Sequence, residues 1–208
     1  NSIFSHFIAE VRDMEIQKDS LRFRKNLERM GEIFAYEISK TLEYSELEVT
    51  TPFGIANGKK LKEQPVIATL LRAGLPLHQG LLNIFDKATN AFASVSRKYE
   101  KDGFFDLKFG YLSSPGIEGK VLILSDALIA SGSSVALAYK HLLQKGNPER
   151  IHIVSVIAST EGLSYIKKHL PTRKLTFWLG EIDDELTAKS YIVPGLGDAG
   201  DLAFGEKL

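Results

Sequence analysis

The chain contains no cysteine, which excludes disulfides, thiolate metal sites and thiol nucleophiles and suits a reducing compartment. No apolar run approaches the roughly 20 residues needed to span a bilayer, and no signal-peptide pattern opens the sequence. Net charge is also missing: 26 Lys and Arg balance 26 Asp and Glu. No global basic field is therefore available to recruit nucleic acid or an anionic membrane. The five histidines, His6, His78, His141, His152 and His169, form no metal-ligand spacing. The expectation is a cytoplasmic protein that binds neither membrane nor nucleic acid.

What remains is an ordinary globular composition, 44% hydrophobic and 25% charged over 208 residues, enough for one sizeable core. Residues 18–42 read as an amphipathic helix, with Leu21, Leu27, Met30, Ile33, Phe34 and Ile38 at helical spacing and Asp19 or Ser20 as its cap. Lys18, Arg22, Arg24, Lys25 and Arg29 gather near its start and read as a solvated face. Residues 46–62 read as a protruding hairpin, with Pro52, Gly54 and Asn57-Gly58 as turn signals.

Short apolar runs then alternate with helical segments. Runs at 66–70, 90–96, 121–124, 151–158 and 175–179 predict strands, and helices follow 74, 134 and 160. Uninterrupted apolar strands separated by helices predict an α/β fold with a mostly parallel sheet covered on both faces. Residues 98–109 read as a polar loop able to cover a site, and 111–118 as irregular. No second-domain linker is visible, so the expectation is one domain spanning 1–208, with 46–62 as an arm and 175–208 as a hood. Trp178 reads as core, His78 as a capping or surface residue, and Asp183-Asp184-Glu185 as a solvated turn.

The segment from Val121 to Ser134 carries the chemistry. A buried strand ends, Asp126 follows, and the small-residue loop Ala130-Ser131-Gly132-Ser133-Ser134 opens a helix. Ligands of open α/β sheets bind at the carboxyl ends of strands. Backbone N–H groups and the dipole at the start of the next helix form a cup for an anion. No Lys follows Gly132, so the nucleoside-triphosphatase loop is missing, and there is no G-x-G-x-x-G for a dinucleotide. The cup suits a phosphate monoester, and Asp126 is placed to accept from vicinal ribose hydroxyls.

Asp126–Ser134 resembles the phosphoribosyl-pyrophosphate motif of the type I phosphoribosyltransferases. Leu71-Arg72-Ala73-Gly74 resembles the pyrophosphate loop of the uracil phosphoribosyltransferases. The run from Tyr191 through Pro194, Gly197 and Asp198 to Asp201, with Phe204-Gly205, is similar to that family's carboxy-terminal base-binding signature. Phe23-Arg24 and Tyr36-Glu37 fit its amino-terminal helix.

The resemblance implies transfer of a phosphoribosyl group from phosphoribosyl pyrophosphate to uracil, giving UMP and pyrophosphate. It implies that Arg72, Arg97, Asp126, Ala127, Leu128, Ile129, Ala130, Ser131, Gly132, Ser133, Ser134 and Asp198 bind the cosubstrate. It implies that Ile192, Gly197, Asp198 and Ala199 surround uracil. Asp126, Arg72, Arg97 and Asp198 would be the catalytic groups. Mg²⁺ would arrive on the pyrophosphate rather than in a protein cage, and the arm would reach a second subunit in a dimer. The chain departs from the family pattern at Ser131, where Thr is usual, at Ser133, where Gly is usual, and at Leu202, where a basic residue is usual. A non-catalytic regulator on the same fold, binding nucleotide and RNA, is the alternative that the basic cluster would serve.

Overall fold

The computed structural model describes residues 2–99 and 105–207, with the side chains at 97–99, 105 and 106 outside the description. Its centre is a six-stranded sheet in the order β5-β4-β3-β6-β7-β8. These strands are β3 (Val66–Leu71), β4 (Thr89–Tyr99), β5 (Phe105–Ser113), β6 (Val121–Ile129), β7 (Arg150–Ser159) and β8 (Leu175–Asp183). All neighbours run parallel except β4 and β5, which form an antiparallel edge.

The parallel strands are apolar on both faces, as the sequence predicts, and each face meets its own helices. On one side Ile67, Ile123 and Val154 pack against α1 (Ile3–Arg12), α2 (Ser20–Ser39) and α3 (Leu75–Ile84) through residues such as Val11, Leu27, Met30 and Leu77. On the other, Leu122, Leu124 and Ile153 pack against α4 (Ser133–Leu142) and α5 (Thr160–His169) through Val135, Ala138, Leu142 and Ile166. Helices α2 and α3 touch at the backbone. A Cβ on Gly31 would run into the Leu77 carbonyl oxygen, and one on Gly80 into that of Glu28. This contact seats α3, and so the loop before it, against the sheet.

Several boundaries differ from the sequence reading. Strand β6 continues past Leu124 to Ile129, so Asp126 lies within the strand and not in the loop after it. The stretch at 98–109 joins the end of β4 and most of β5 into a strand pair instead of a loop, with residues 100–104 outside the described residues. Its alternation of polar and aromatic residues is strand periodicity at a sheet edge. Helix α1, capped by Ser2, and the short α6 (Ala199–Phe204), capped by Asp198, have no counterpart in that reading. Strand β8 belongs to the central sheet. Only the segment after Asp183, with the small ribbon β9 (Glu185–Leu186) and β10 (Ile192–Val193), stands apart from it.

The hairpin β1 (Tyr44–Thr51) and β2 (Gly54–Leu61) pairs only with itself, in register from Tyr44↔Leu61 to Thr51↔Gly54. No residue of either strand is buried, and Phe53 at its turn is fully exposed.

Candidate active site

One cleft of about 510 Å³ lies at the carboxyl ends of β3, β4 and β6, with the carboxy-terminal segment as its opposite wall. Arg72, Asp126, Leu128, Ile129, Ala130, Ser131, Gly132 and Ser134 line one part of it. Ile192, Gly197, Asp198 and Ala199 line the facing part. The anion cup and the glycine-rich segment therefore share a single space, with an arginine in it.

The cup is built by the turn from β6 into α4. Gly132 has φ +75°, and a Cβ there would collide with the Gly162 carbonyl, so only glycine fits the turn. Gly132 is also the N-cap of α4 and offers no side chain to the first-turn N–H groups. By contrast, α5 is capped by the Ser159 hydroxyl and α6 by the Asp198 carboxylate. An uncapped helix start opening on a cleft is a place for an anion. Ser133 has right-handed backbone, since Ser190 is the single non-glycine residue with positive φ among the described residues. Its Cβ thus costs the loop nothing. Its hydroxyl lies 2.6 Å from that of Ser131 and borders a separate hollow between α4 and α5 rather than the cleft. Ala127 is also turned away: it is fully buried in the core and does not line the cleft.

Asp126 is half-buried on the floor of the cleft. Burial pushes its carboxyl up to about 7, opposed by the backbone N–H groups of Ala127 and Leu128 and reinforced by the charge of Asp198. Asp198 caps α6, with Oδ1 accepting from Gly200 N–H at 2.8 Å and Asp201 N–H at 3.0 Å.

Arg72 follows β3 on a cis peptide bond. Its Nη2 donates to Asp201 Oδ1 and to the Gly205 carbonyl, each at 3.1 Å. Its Nε is buried without a hydrogen-bond partner. Arg97 is on β4, but its side chain lies outside the described residues.

Ala73, Tyr191 and Gly200 of the quoted motifs also line the cleft, as do Ser94, Val95, Ser96, Ser190 and Lys207, which were not singled out from the sequence. The polar Ser94-x-Ser96 at the end of an apolar strand was a readable signal for a strand end facing ligand. Lys207 carried none.

Two further residues depart from expectation. His78 is buried, not superficial: Nε2 lies 2.9 Å from Asn90 Oδ1, its ring packs on Phe92, and burial lowers its pKa. Asp183 is no solvated turn residue. It is buried and gripped by Arg12, whose hydrogen bonds lower its pKa. The basic cluster at 18–29 is mostly exposed, as a solvated face is, and much of it is paired within the chain. Arg22 pairs with the buried Glu10, Lys18 with Glu15, Lys25 with Glu28, and Arg24 donates to the Ala203 carbonyl at 2.6 Å. No helix is long and apolar enough to cross a membrane among the described residues. No group of three or more acidic or histidine side chains is placed to hold a metal ion among them either.

Comparison with known proteins places relatives beside this geometry. The sequence profile described as uracil phosphoribosyltransferase matches residues 1–206. A Porphyromonas gingivalis protein named uracil phosphoribosyltransferase is 52% identical over 208 residues, covering 100% of this chain and 96% of its own length. One of the same name from Thermococcus gammatolerans is 38% identical over 204 residues, covering 97% of this chain and 88% of its own. Among solved structures, the AQ2163 protein from Aquifex aeolicus superposes with a TM-score of 0.87 at 28% identity, over 99% of this chain and 95% of that one.

Proposed function

Because this chain belongs to the uracil phosphoribosyltransferase family, we propose that it joins uracil to the ribose of phosphoribosyl pyrophosphate, giving UMP and pyrophosphate. The observation that carries the reading is the shared cleft. An uncapped helix start at Gly132, an acid at Asp126, an arginine at Arg72 and a main-chain slot at Gly197–Ala199 all border it.

Displacing pyrophosphate from C1 of ribose builds positive charge on the sugar and negative charge on the leaving group. The cup at Ala130–Ser134 holds the 5′-phosphate through its N–H groups and the hydroxyls of Ser131 and Ser134. Asp126 accepts from the ribose hydroxyls and, when ionised, sets negative charge beside the sugar. Arg72 takes the pyrophosphate. Guanidinium stays charged and presents paired donors to phosphate oxygens, and its buried Nε supplies a donor with no competing partner. Arg97 is the second arginine that the family resemblance assigns to the pyrophosphate.

Asp126 and Asp198 repel one another across the cleft, a charge arrangement that suits the water shell of a divalent cation. Mg²⁺ prefers phosphate oxygens and water to an all-protein cage. When bound with the cosubstrate it neutralises the leaving group, and Asp126 and Asp198 are the acids that would face its waters.

Uracil lies against Ile192 and the main chain of Gly197, Asp198 and Ala199. Two carbonyl acceptors and one N–H donor on the base meet fixed backbone groups. A base with that pattern altered leaves buried groups unpaired, a loss that can reach about 10⁴-fold in discrimination. Positioning and electrostatics supply the acceleration, with no covalent intermediate on the enzyme. The protein works in the cytoplasm as a dimer, each arm lying on the other subunit. An isolated two-stranded ribbon with exposed Val49, Phe53 and Ile55 is not stable by its own contacts.

The test is a single assay. Purified protein with uracil, phosphoribosyl pyrophosphate and Mg²⁺ should release UMP and pyrophosphate, and cytosine, orotate or a purine should not substitute. No product together with no uracil binding overturns the reading. Steep salt-dependent RNA binding in place of turnover would point to the regulator instead.

A further inference from the structure

The base slot is anchored by residues from the other end of the chain. Arg12, the last residue of α1, donates through Nη1 to Asp183 Oδ2 and through Nη2 to Asp183 Oδ1, at 2.9 and 2.8 Å. The same Nη1 donates to the Gly195 carbonyl at 2.9 Å, and Asp183 Oδ2 accepts from the Gly195 N–H at 2.9 Å. Both polar groups of Gly195 are thus held by one ion pair. The Gln17 amide, oriented so that its nitrogen faces two carbonyls, donates to Leu196 O at 2.9 Å and Val11 O at 3.1 Å. The two residues just before Gly197 are tied to the amino-terminal segment by two bonds, Arg12 to Gly195 and Gln17 to Leu196, and Asp183 at the end of β8 adds a third.

The pair is sheltered: the Asp183 side chain is 7% exposed and that of Arg12 20%. A bidentate guanidinium–carboxylate pair in that setting fixes direction as well as distance. Neither residue lines the cleft, so neither can touch a ligand there. Only glycine fits at 195, because it is at φ +57° and a Cβ would run into the Ile192 carbonyl. The clamp thus sets the course of the main chain entering Gly197, while the Asp198 carboxylate is held separately as the cap of α6.

We propose that Arg12 and Asp183 are positioning residues for the base slot, setting affinity and selectivity for the base while leaving the phosphoribosyl half of the site untouched. This rests on the functional reading above and deepens it.

The test compares Asp183→Asn, Arg12→Ala and Arg12→Lys with the wild type. The expected result is a KM for uracil raised tenfold or more in Asp183→Asn and Arg12→Ala, with kcat and the KM for phosphoribosyl pyrophosphate within about twofold. Discrimination against cytosine should fall, and Arg12→Lys should recover part of what Arg12→Ala loses. A general structural weakening would lower kcat or raise both KM values together, and that result overturns the proposal, as does an unchanged KM for uracil. Amide hydrogen exchange gives a readout independent of turnover. In Arg12→Lys, the mildest variant, residues 195–200 should exchange faster while residues 131–136 keep wild-type protection. Unaltered exchange at 195–200 overturns the clamp. If the wild type makes no UMP, the functional reading fails by itself, and the exchange data still decide whether Arg12 holds the slot.

Discussion

Arg72 Nη2 lies 3.1 Å from Asp201 Oδ1, so this contact bridges the loop after β3 and helix α6. The Gly205 carbonyl completes the hold. Both side chains are about one-third exposed, at 36% and 34%. An ion pair that wet contributes about 0–1 kcal/mol to stability. Its value is in aiming the guanidinium. Arg72→Ala should therefore lower kcat/KM for phosphoribosyl pyrophosphate by about 10²–10³, the range for removing a preorganised donor. Asp201→Asn should lower it less than tenfold and shift unfolding in denaturant by no more than about 1 kcal/mol. Steady-state kinetics with the cosubstrate varied decide this, and wild-type kinetics in Arg72→Ala would remove the arginine from the mechanism.

Asp126 makes a pH prediction whose sign follows from its raised pKa of about 7 against an ordinary 3.8. The folded state binds the proton more tightly than the unfolded chain, so this group's contribution to stability is lost as pH climbs from about 4 to about 7. Asp126→Asn removes the buried charge and should stabilise the protein above pH 7 by on the order of 1–3 kcal/mol after allowing for solvent in the open cleft. The same change should cost most of the turnover. For the wild type, kcat/KM for the cosubstrate should rise with pH about a midpoint near 7, where the free enzyme gains its carboxylate. A thermal-melt series of both proteins from pH 5 to 9 checks the first statement, and a pH–rate profile the second. A variant less stable than wild type at pH 8 would contradict the sign.

How much of this was legible beforehand depended on the range of the interactions. Uninterrupted apolar runs at 66–71, 121–124 and 151–158 announce covered parallel strands, because periodicity is a local property. The phosphate cup is also local, a strand, a turn glycine and a helix within 15 residues. The extension of β6 through Asp126 was hidden because Ser125 and Asp126 look like loop residues. The polarity of Ser125 is met by a long-range partner instead, its Oγ donating to the Ala68 carbonyl at 3.2 Å, and that of Asp126 by the N–H groups of Ala127 and Leu128. Asp183 and His78 were misread for the same reason. A polar residue next to a turn signals exposure unless its partner is known, and those partners are 171 residues away for Asp183 and 12 for His78. Helix α1 was overlooked although Ile8 and Val11 face the core. Its 10 residues lack the acidic first turn and the glycine stop that mark a helix in sequence.

The serine at position 133 is predicted to be a gain where it departs from the family pattern. Its hydroxyl meets Ser131 Oγ at 2.6 Å, and its backbone is helical. Ser133→Gly deletes that bond and frees the first turn of α4, so stability should drop by about 0.5–1.5 kcal/mol with activity retained. Gly132→Ala should be far worse for function. It forces a side chain into left-handed backbone, about 1–2 kcal/mol, and against the Gly162 carbonyl. The KM for phosphoribosyl pyrophosphate should rise more than tenfold while the KM for uracil stays put. Equal effects from the two substitutions in kinetics and chemical denaturation would undo this account of the loop.

The arm gives the last prediction. Phe53 at its tip is fully exposed, and Ile55 is 71% exposed on a ribbon that pairs with no other strand among the described residues. Burying one such side chain contributes about 1.5–3 kcal/mol, and a two-fold assembly would use each residue twice. Replacing both by aspartate should weaken self-association at least 100-fold, since each 1.4 kcal/mol is a factor of ten. Sedimentation velocity across a concentration series would show the wild type as a dimer and Phe53→Asp/Ile55→Asp as a monomer. Circular dichroism should be unchanged, because neither residue contributes to the core on either face of the sheet. A double variant that remains dimeric at micromolar concentration would mean the subunits meet on another surface and the arm serves something else.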